Sequence, residues 1–286
     1  MVMGFRDRLF SSVIYAILLL ISVMIIFPLL YVISVSLTPY SEVLKNGGFI
    51  IIPRSITLDA YISFINDSTF FQAIGITVFI TVVGTFINLV LTTLLAYPLS
   101  KKGLPARNVF VFMVAFTMLF NGGIIPTYLI VKATGFMDSV WAMIIPTAIW
   151  SFNLLIVKTF FENQPEALEE SAKMDGAGEW RVLLQIVIPL SMPVIATVGL
   201  FYAVGHWNEF FQAIMYINDP NKQPLQVLLR SILESAMKPS MELEDVLPSE
   251  SLQMAAVILS AVPIIVVYPF VQKYFTQGML LGSIKG

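Results

Sequence analysis

Groups able to do chemistry are scarce in this sequence. It has no cysteine and a single histidine, His206. That removes disulfides, thiolate metal sites, cysteine nucleophiles and multi-histidine metal sites together. No G-x-x-x-x-G-K-[ST] run occurs, so the chain holds no nucleotide through such a loop. The most informative polar segment, Glu162 to Leu190, has a pattern that speaks of recognition rather than catalysis. Pro165 takes the first helical position, and Glu166 sits in the first turn, where the helix dipole favours an anion. Leu168 and Ala172 share one face, with Ala167, Ser171 and Met174 near it. Gly176 supplies a stop or a sharp bend, because a Cβ there could block the turn. A second helix carries Trp180, Leu183, Leu184 and Val187 at i, i+3, i+4 and i+7 until Pro189. Two short helices joined at Asp175-Gly176-Ala177 either fold back on their own protein or form a knuckle for a groove on a partner. The residues alone leave both open.

The elements that must position this segment lie in a bilayer. Hydrophobic residues make up 57% of the 286 and charged residues 12%, against about 25% charged in soluble domains. Such a chain has too few charges to cover a water-facing surface. Its 16 basic and 18 acidic residues leave a net charge of -2, which excludes the basic footprint of a nucleic-acid binder. A membrane-spanning helix needs about 20 apolar residues. Six charge-free runs are long enough: Leu9–Ser41, Ser68–Ser100, Asn108–Val131, Ser139–Val157, Val182–Asn208 and Ser251–Gln272. They predict an all-α membrane protein of one domain, residues 1–286, with spans near 12–36, 70–98, 109–131, 139–160, 190–214 and 251–272.

Lys and Arg in the flanks set the orientation. With the N-terminus inside, the inner segments hold 10 of them and the outer segments 6. The cluster Lys101, Lys102 and Arg107 weighs most, because its loop is so short. Both termini are therefore expected in the cytoplasm. The first span is expected to remain uncleaved, its charge-free run being long for a signal peptide. The segment 162–190 then faces inward, and the loops 38–69 and 216–250 face outward. In the first outer loop Leu58, Tyr61, Ile62 and Ile65 predict a short amphipathic helix. In the second, Leu225, Leu228, Leu229, Ile232, Leu233 and Ala236 predict another, followed by an irregular acidic stretch from Pro239 to Glu250. Both helices read equally as caps on the bundle or as a platform for an external partner.

The inner segment resembles a known pattern. Glu170-Ser171-Ala172, three residues, Gly176, nine residues, then Ile186-Val187-Ile188-Pro189 is similar to the EAA loop of bacterial ABC importer permeases, with Ser171 for Ala and Ile188 for Leu as departures. Leu37-Thr38-Pro39, Ile52-Pro53, Leu58-Asp59-Ala60-Tyr61, Trp207-Asn208-Glu209-Phe210-Phe211, Pro224-Leu225-Gln226 and Gly282-Ser283-Ile284-Lys285-Gly286 resemble stretches of the carbohydrate, maltose-permease-like group. Asn121-Gly122-Gly123-Ile124-Ile125-Pro126 looks most like the subgroup associated with complex oligosaccharides and polysaccharide fragments. The resemblance implies a type I ABC importer permease fold in a bacterial cytoplasmic membrane. It implies a second homologous permease, two ATPase subunits that carry the ATP and Mg, and an external sugar-binding protein. The chain itself would need no cofactor and do no catalysis. Glu170, Ser171, Ala172, Asp175, Gly176 and Ala177 would form the loop that couples it to the ATPase.

Sugars are held by ring stacking and hydrogen bonds, so Asn121, Trp150, Asn153, His206, Trp207, Asn208, Glu209 and Gln212 are the candidates for the translocation path. Plainer roles compete: His206 as a polar residue closing a span, Trp207 as an interfacial anchor, Glu209 at the outer surface, and Asn121-Gly122-Gly123 with Pro126 as a packing kink. An ATP-independent transporter or channel is the alternative to the importer. Such proteins often carry ionisable residues inside their spans, whereas here only Glu209 lies close to one.

Overall fold

The computed structural model describes residues 5–237 and 249–283. Among them all regular structure is helical. Two charge-free runs fold as long unbroken helices. The first is α1 (Phe5–Ser36). After α2 (Tyr40–Lys45) and α3 (Asp59–Asn66) comes the second, α4 (Ser68–Ser100). Next are α5 (Arg107–Leu119), α6 (Ile124–Ala133), α7 (Ser151–Glu162) and α8 (Glu166–Met174). A continuous stretch begins as α9 (Glu179–Val182), passes through a π-helical turn and ends as α10 (Ile188–Leu190). The chain continues with α11 (Met192–Trp207), α12 (Phe211–Tyr216), α13 (Leu225–Met237) and α14 (Glu250–Ser283).

The expected single domain is built of two compact units. One takes in the chain through Ser68 together with Leu229–Val262. Its core is Val35, Val43 and Ile50, with Tyr31 and Met254 packed on it. The Tyr31 hydroxyl donates to the Gly48 carbonyl at 2.9 Å, and its ring stacks on Phe49. Ser251 Oγ donates to the Thr38 carbonyl at 2.7 Å. Apolar side chains along α1 are exposed almost without interruption; among the described residues nothing covers them.

The second unit takes in Thr69–Leu228 and the chain from Pro263 on. Its largest core joins Ala96, Tyr97 and Leu99 of α4, Leu154, Val157 and Phe161 of α7, Val182 and the Leu183–Val187 turn, and Val194, Val198 and Tyr202 of α11. A smaller core gathers Ile80, Met143, Ile144, Ala213, Ile217 and Val227. In lipid, helices gain nothing from hiding apolar surface from water and must associate by close packing. Two glycines make that possible. Gly84 of α4 is a notch for the His206 ring, and a Cβ there would sit 2.6 Å from Nε2. Gly205 of α11 accepts the Trp150 indole, which a Cβ would meet at 2.4 Å.

Three of the expected spans are not straight. The run predicted as one span over 109–131 breaks between α5 and α6, whose axes differ by 115°. Asn121 Oδ1 accepts the Gly123 amide at 2.9 Å, and Gly123 adopts φ +92°. Pro126 then falls in the first turn of α6, where a missing amide costs no helical bond. Before α7 the chain makes two 3₁₀ turns over Val140–Thr147, and the pair bends by 50°. The predicted fifth span bends by 81° at Ser191, flanked by Pro189 and Pro193, and breaks again after α11 at Asn208–Phe210. Proline removes an amide donor and clashes with the preceding turn, so such flanks mark a bend. The sixth expected stretch lies within α14, a single helix containing Pro263 and Pro269.

The two predicted outer helices are α3 and α13, the first starting one residue after Leu58. Most of the predicted irregular acidic stretch, residues 238–248, lies outside the described residues. At the end of α12, Asp138 in the left-handed region (φ 57°) ties two connections together. Its Oδ1 accepts the amides of Asn218 and Asp219, and Lys222 donates to its carbonyl at 2.9 Å.

The notch at Gly84 gives a matched test against Gly75, where a Cβ meets nothing within 4 Å. Gly75→Ala should raise stability by up to about 1 kcal/mol through helix propensity. Gly84→Ala should lower it by about 1–3 kcal/mol through overpacking. Thermal unfolding of the detergent-solubilised chain reads both; equal shifts would show that the notch is not tight.

Candidate coupling surface and polar path

The inner segment is built as a hinged pair of helices. Pro165 stands just before α8 rather than at its first position, one residue from expectation. Glu166 and Glu169 occupy the first turn, where the dipole favours them. The helix ends in a full Schellman closure: Gly176 N–H donates to the Lys173 carbonyl at 3.0 Å, and Ala177 N–H to the Ala172 carbonyl at 2.9 Å. Gly176 has φ +79°, and a Cβ on it would meet nothing within 4 Å. The expected steric block is therefore corrected to a torsional one. Only a residue at ease in the left-handed region closes this helix without strain.

The two faces of the segment differ: one folds back on its own protein and the other is exposed. Ala172 and Ala177 are half-buried and pack on the core of α4, α7 and α11. These two members of the expected coupling set anchor the hinge to the chain's own core. Glu170, Ser171 and Asp175 are exposed. So are two residues absent from the expected set, Met174 at 89% and Trp180 at 68% exposure. A large apolar side chain this bare beside a polar hinge was the available signal.

The inward face of α8 is clamped by charge. Glu169 pairs with Lys101 in the turn between α4 and α5. Glu166 pairs with Lys102 at 2.7 Å. Lys173 pairs at 2.6 Å with Glu179, which also accepts the Tyr97 hydroxyl at 2.8 Å. The Lys101 ammonium lies over the Tyr97 ring, 4.3 Å from its centre. Below them Glu162 binds Arg107 at 2.5 Å and the buried Lys158. Lys102 beside Glu166 holds that carboxyl below its ordinary value, and Glu179 beside Lys173 holds the ammonium above its own. A carboxyl held low contributes its stability above the ordinary carboxylate value and loses it as the pH falls through the lowered one. The Lys102–Glu166 pair is therefore formed at neutral pH and weakens as the pH falls through the lowered value. Tyr97, Lys101, Gln164, Glu170 and Trp180 are among the residues lining a cleft of about 790 Å3 beside it.

The path candidates do not form one site. Trp150, whose ring lies 5.0 Å from that of Tyr202, donates its amide to the Tyr202 hydroxyl at 3.0 Å. Tyr202 shares a 2.7 Å bond with Thr92, and Asn88 Nδ2 lies 3.0 Å from His206 Nε2. His206, in the last turn of α11 as its reading as a residue closing a span expects, is also a buried member of a polar cluster. Asn153, one helical turn from Trp150, is 1% exposed, and neither side-chain polar atom has a partner. Trp207 is buried in protein, with its carbonyl accepting from Gln226, and is not an interfacial anchor. Asn208 folds back on the Val204 carbonyl at 2.8 Å, and Glu209 accepts the Gln212 amide at 3.0 Å, so both act as local caps. Gln212 reaches Thr147 Oγ1 at 3.3 Å. Asn121 is exposed and serves its own turn. The members sequence reasoning missed are Asn88, Thr92 and Tyr202. The buried stripe Gly84, Asn88, Thr92 and Ala96, at every fourth position of an apolar run, was the signal for them.

Comparison with known sequences now has a site to attach to. The family model described as "Binding-protein-dependent transport system inner membrane component" matches residues 103–281, which include the hinge and the α8 side of the clamp. The chain belongs to this family. A polygalacturonan/rhamnogalacturonan transport system permease protein, YtcP of Bacillus subtilis (strain 168), is 44% identical over 98% of this chain and all of its own. Protein LplC of the same organism is 47% identical over 91% of this chain and 90% of its own. Among solved structures, a chain of a bacterial ABC transporter involved in the import of the acidic polysaccharide alginate is 33% identical. It superposes with a TM-score of 0.88, covering 96% of this chain and 99% of its own. A second alginate transporter structure, in complex with alginate pentasaccharide-bound periplasmic protein, shares the fold at 16% identity and a TM-score of 0.58. The fold is that of an ABC importer permease, and the chain is a transport subunit of that class.

The closure of α8 yields an ordered series. Gly176→Asn should leave the hinge protected, because Asn tolerates the left-handed region, whereas Gly176→Val should loosen it by about 1–2 kcal/mol. Limited proteolysis of the solubilised permease should nick the valine variant first at residues 174–178. The same cleavage rate in all three proteins would refute the torsional account.

Proposed function

We propose that this permease is one half of the membrane channel of an ATP-driven oligosaccharide importer, and that α8 is the point where a cytoplasmic ATPase grips it. The observation that carries this reading is the two-faced α8. Its inward acids are satisfied within the chain, while Glu170 and Asp175 have no basic partner among the described residues. Beside them Met174 and Trp180 stand bare. A helix with one face latched and the other left polar and apolar in turn is built for a groove on another protein. In this reading Glu170, Ser171, Met174 and Asp175 make the contact, Gly176 sets the angle, and Ala172 and Ala177 seat the hinge. ATP and Mg belong to the ATPase.

The rest of the assembly follows the family. A second permease completes the channel, two ATPases drive it, and an external binding protein delivers the sugar. Six spans with both termini in the cytoplasm place α8 on the ATPase side. The bare α1 suits contact with lipid or with the second permease. ATP-driven closure would draw the two α8 helices together, and rigid-body rocking would switch the channel from inward-open to outward-open. The cluster of Trp150, Asn153, Tyr202, His206 and Asn88 is the polar element of this half of the path. The names of the relatives support fragments of acidic polysaccharides as cargo.

Proteoliposomes holding both permeases and the ATPases, supplied with the binding protein, should take up an oligogalacturonide only when ATP is inside. Uptake without nucleotide would return the ATP-independent reading. Glu170→Lys should cut retention of the ATPase on co-purification by about tenfold, the scale of one lost charged contact; undiminished retention would remove Glu170 from the contact.

A further inference from the structure

We infer that Lys101 and Glu169 form a strut that carries the displacement of α8 into α4, a positioning role that rests on reading α8 as the ATPase-docking helix. The argument begins with what α8 lacks. None of its side chains is buried, and among the described residues Ala172 is its only hydrophobic residue packed on the apolar core. A nine-residue helix seated on one methyl group would pivot when its outer face is pulled. Charge supplies the missing constraint. The contacts close a ring: Glu169 of α8 to Lys101, Lys101 over the ring of Tyr97 on α4, Tyr97 to Glu179 of α9, and Glu179 back to Lys173 of α8. Exposed ion pairs are individually weak, whereas linked ones fix geometry. Of the pairs that tie α8 to the turn after α4, the inner one is the better shielded. Lys101 and Glu169 are 29% and 16% exposed, against 73% and 70% for Lys102 and Glu166. The shielded pair is the one that transmits; the exposed pair steadies it.

The test uses the whole transporter in liposomes and reads three quantities: ATPase retained, ATP hydrolysed and sugar taken up per ATP. Lys101→Glu and Glu169→Lys should each keep the ATPase and its hydrolysis yet lower uptake per ATP about tenfold, and the charge-swapped double variant should recover it to within about threefold. Unchanged uptake per ATP in the single variants, or no recovery in the swap, overturns the strut. So does joint loss of ATPase and uptake in both single variants, since the pair would then shape the docking face instead of passing on its motion. An unsubstituted complex that never holds an ATPase sinks the docking reading itself and is scored first. Misfolding is controlled within one sample. The chain has no cysteine, so Lys101→Cys combined with Glu169→Cys offers only two thiols. Uptake per ATP should be low before they are bridged by a bifunctional reagent and should rise afterwards; a bridged protein that stays uncoupled overturns the inference.

Discussion

Helices surrounded by hydrocarbon cannot be held together by fleeing water, and everything in this permease follows from the substitute, which is closeness. A buried methylene that would stabilise a soluble core by about 0.8 kcal/mol gains little when its alternative surroundings are lipid tails. What remains is dispersion at short range and polar groups with few alternatives. The His206 ring against Gly84 and the Trp150 indole against Gly205 are the tightest fits at a glycine among the described residues. Each is backed by a polar contact, to Asn88 and to Tyr202 respectively. The glycines and the buried polar side chains are therefore parts of one device, in which the small residue brings the helices near enough for the polar pair to form.

The same solvent sends charge to the ends of the spans. Lys101, Lys102, Arg107 and Lys158 gather at one end with Glu162, Glu166, Glu169 and Glu179. At that boundary ion pairs are neither fully hydrated nor fully buried. They hold α8 in place without the desolvation cost of a buried salt bridge. The segment thus has one side latched to its own chain and one side left exposed.

How far the sequence could be read depended on the distance between cause and effect. The α8 hinge was legible because its determinants are local: Glu166 in the first turn and Gly176 at the end specify the helix whatever surrounds it. So were α3 and α13, whose apolar residues repeat at helical spacing. The membrane character followed from composition alone. The clamp was not legible, because Lys101 and Glu169 lie 68 positions apart and nothing local pairs them. Nor was the inward turn of Ala172 and Ala177, since helical spacing tells which residues share a face but not which way it points. The break at Asn121–Gly123 was legible from its glycines and Pro126, whereas the bend at Ser191 was not, because the spacing of charges reports hydrophobicity and not the geometry of the flanking Pro189 and Pro193. Asn208 and Glu209, named for the path, make local hydrogen bonds at a helix end, a common occupation of such side chains.

The bareness of α1 has an evolutionary side. An apolar side chain touching lipid and one touching a neighbouring helix differ little in energy, so replacing one companion by another disturbs nothing inside the chain. The cores of the two units do not involve the outer flank of α1. Apolar substitutions there can therefore accumulate with little effect on how this chain folds, so this helix is free to drift while the packed cores are not.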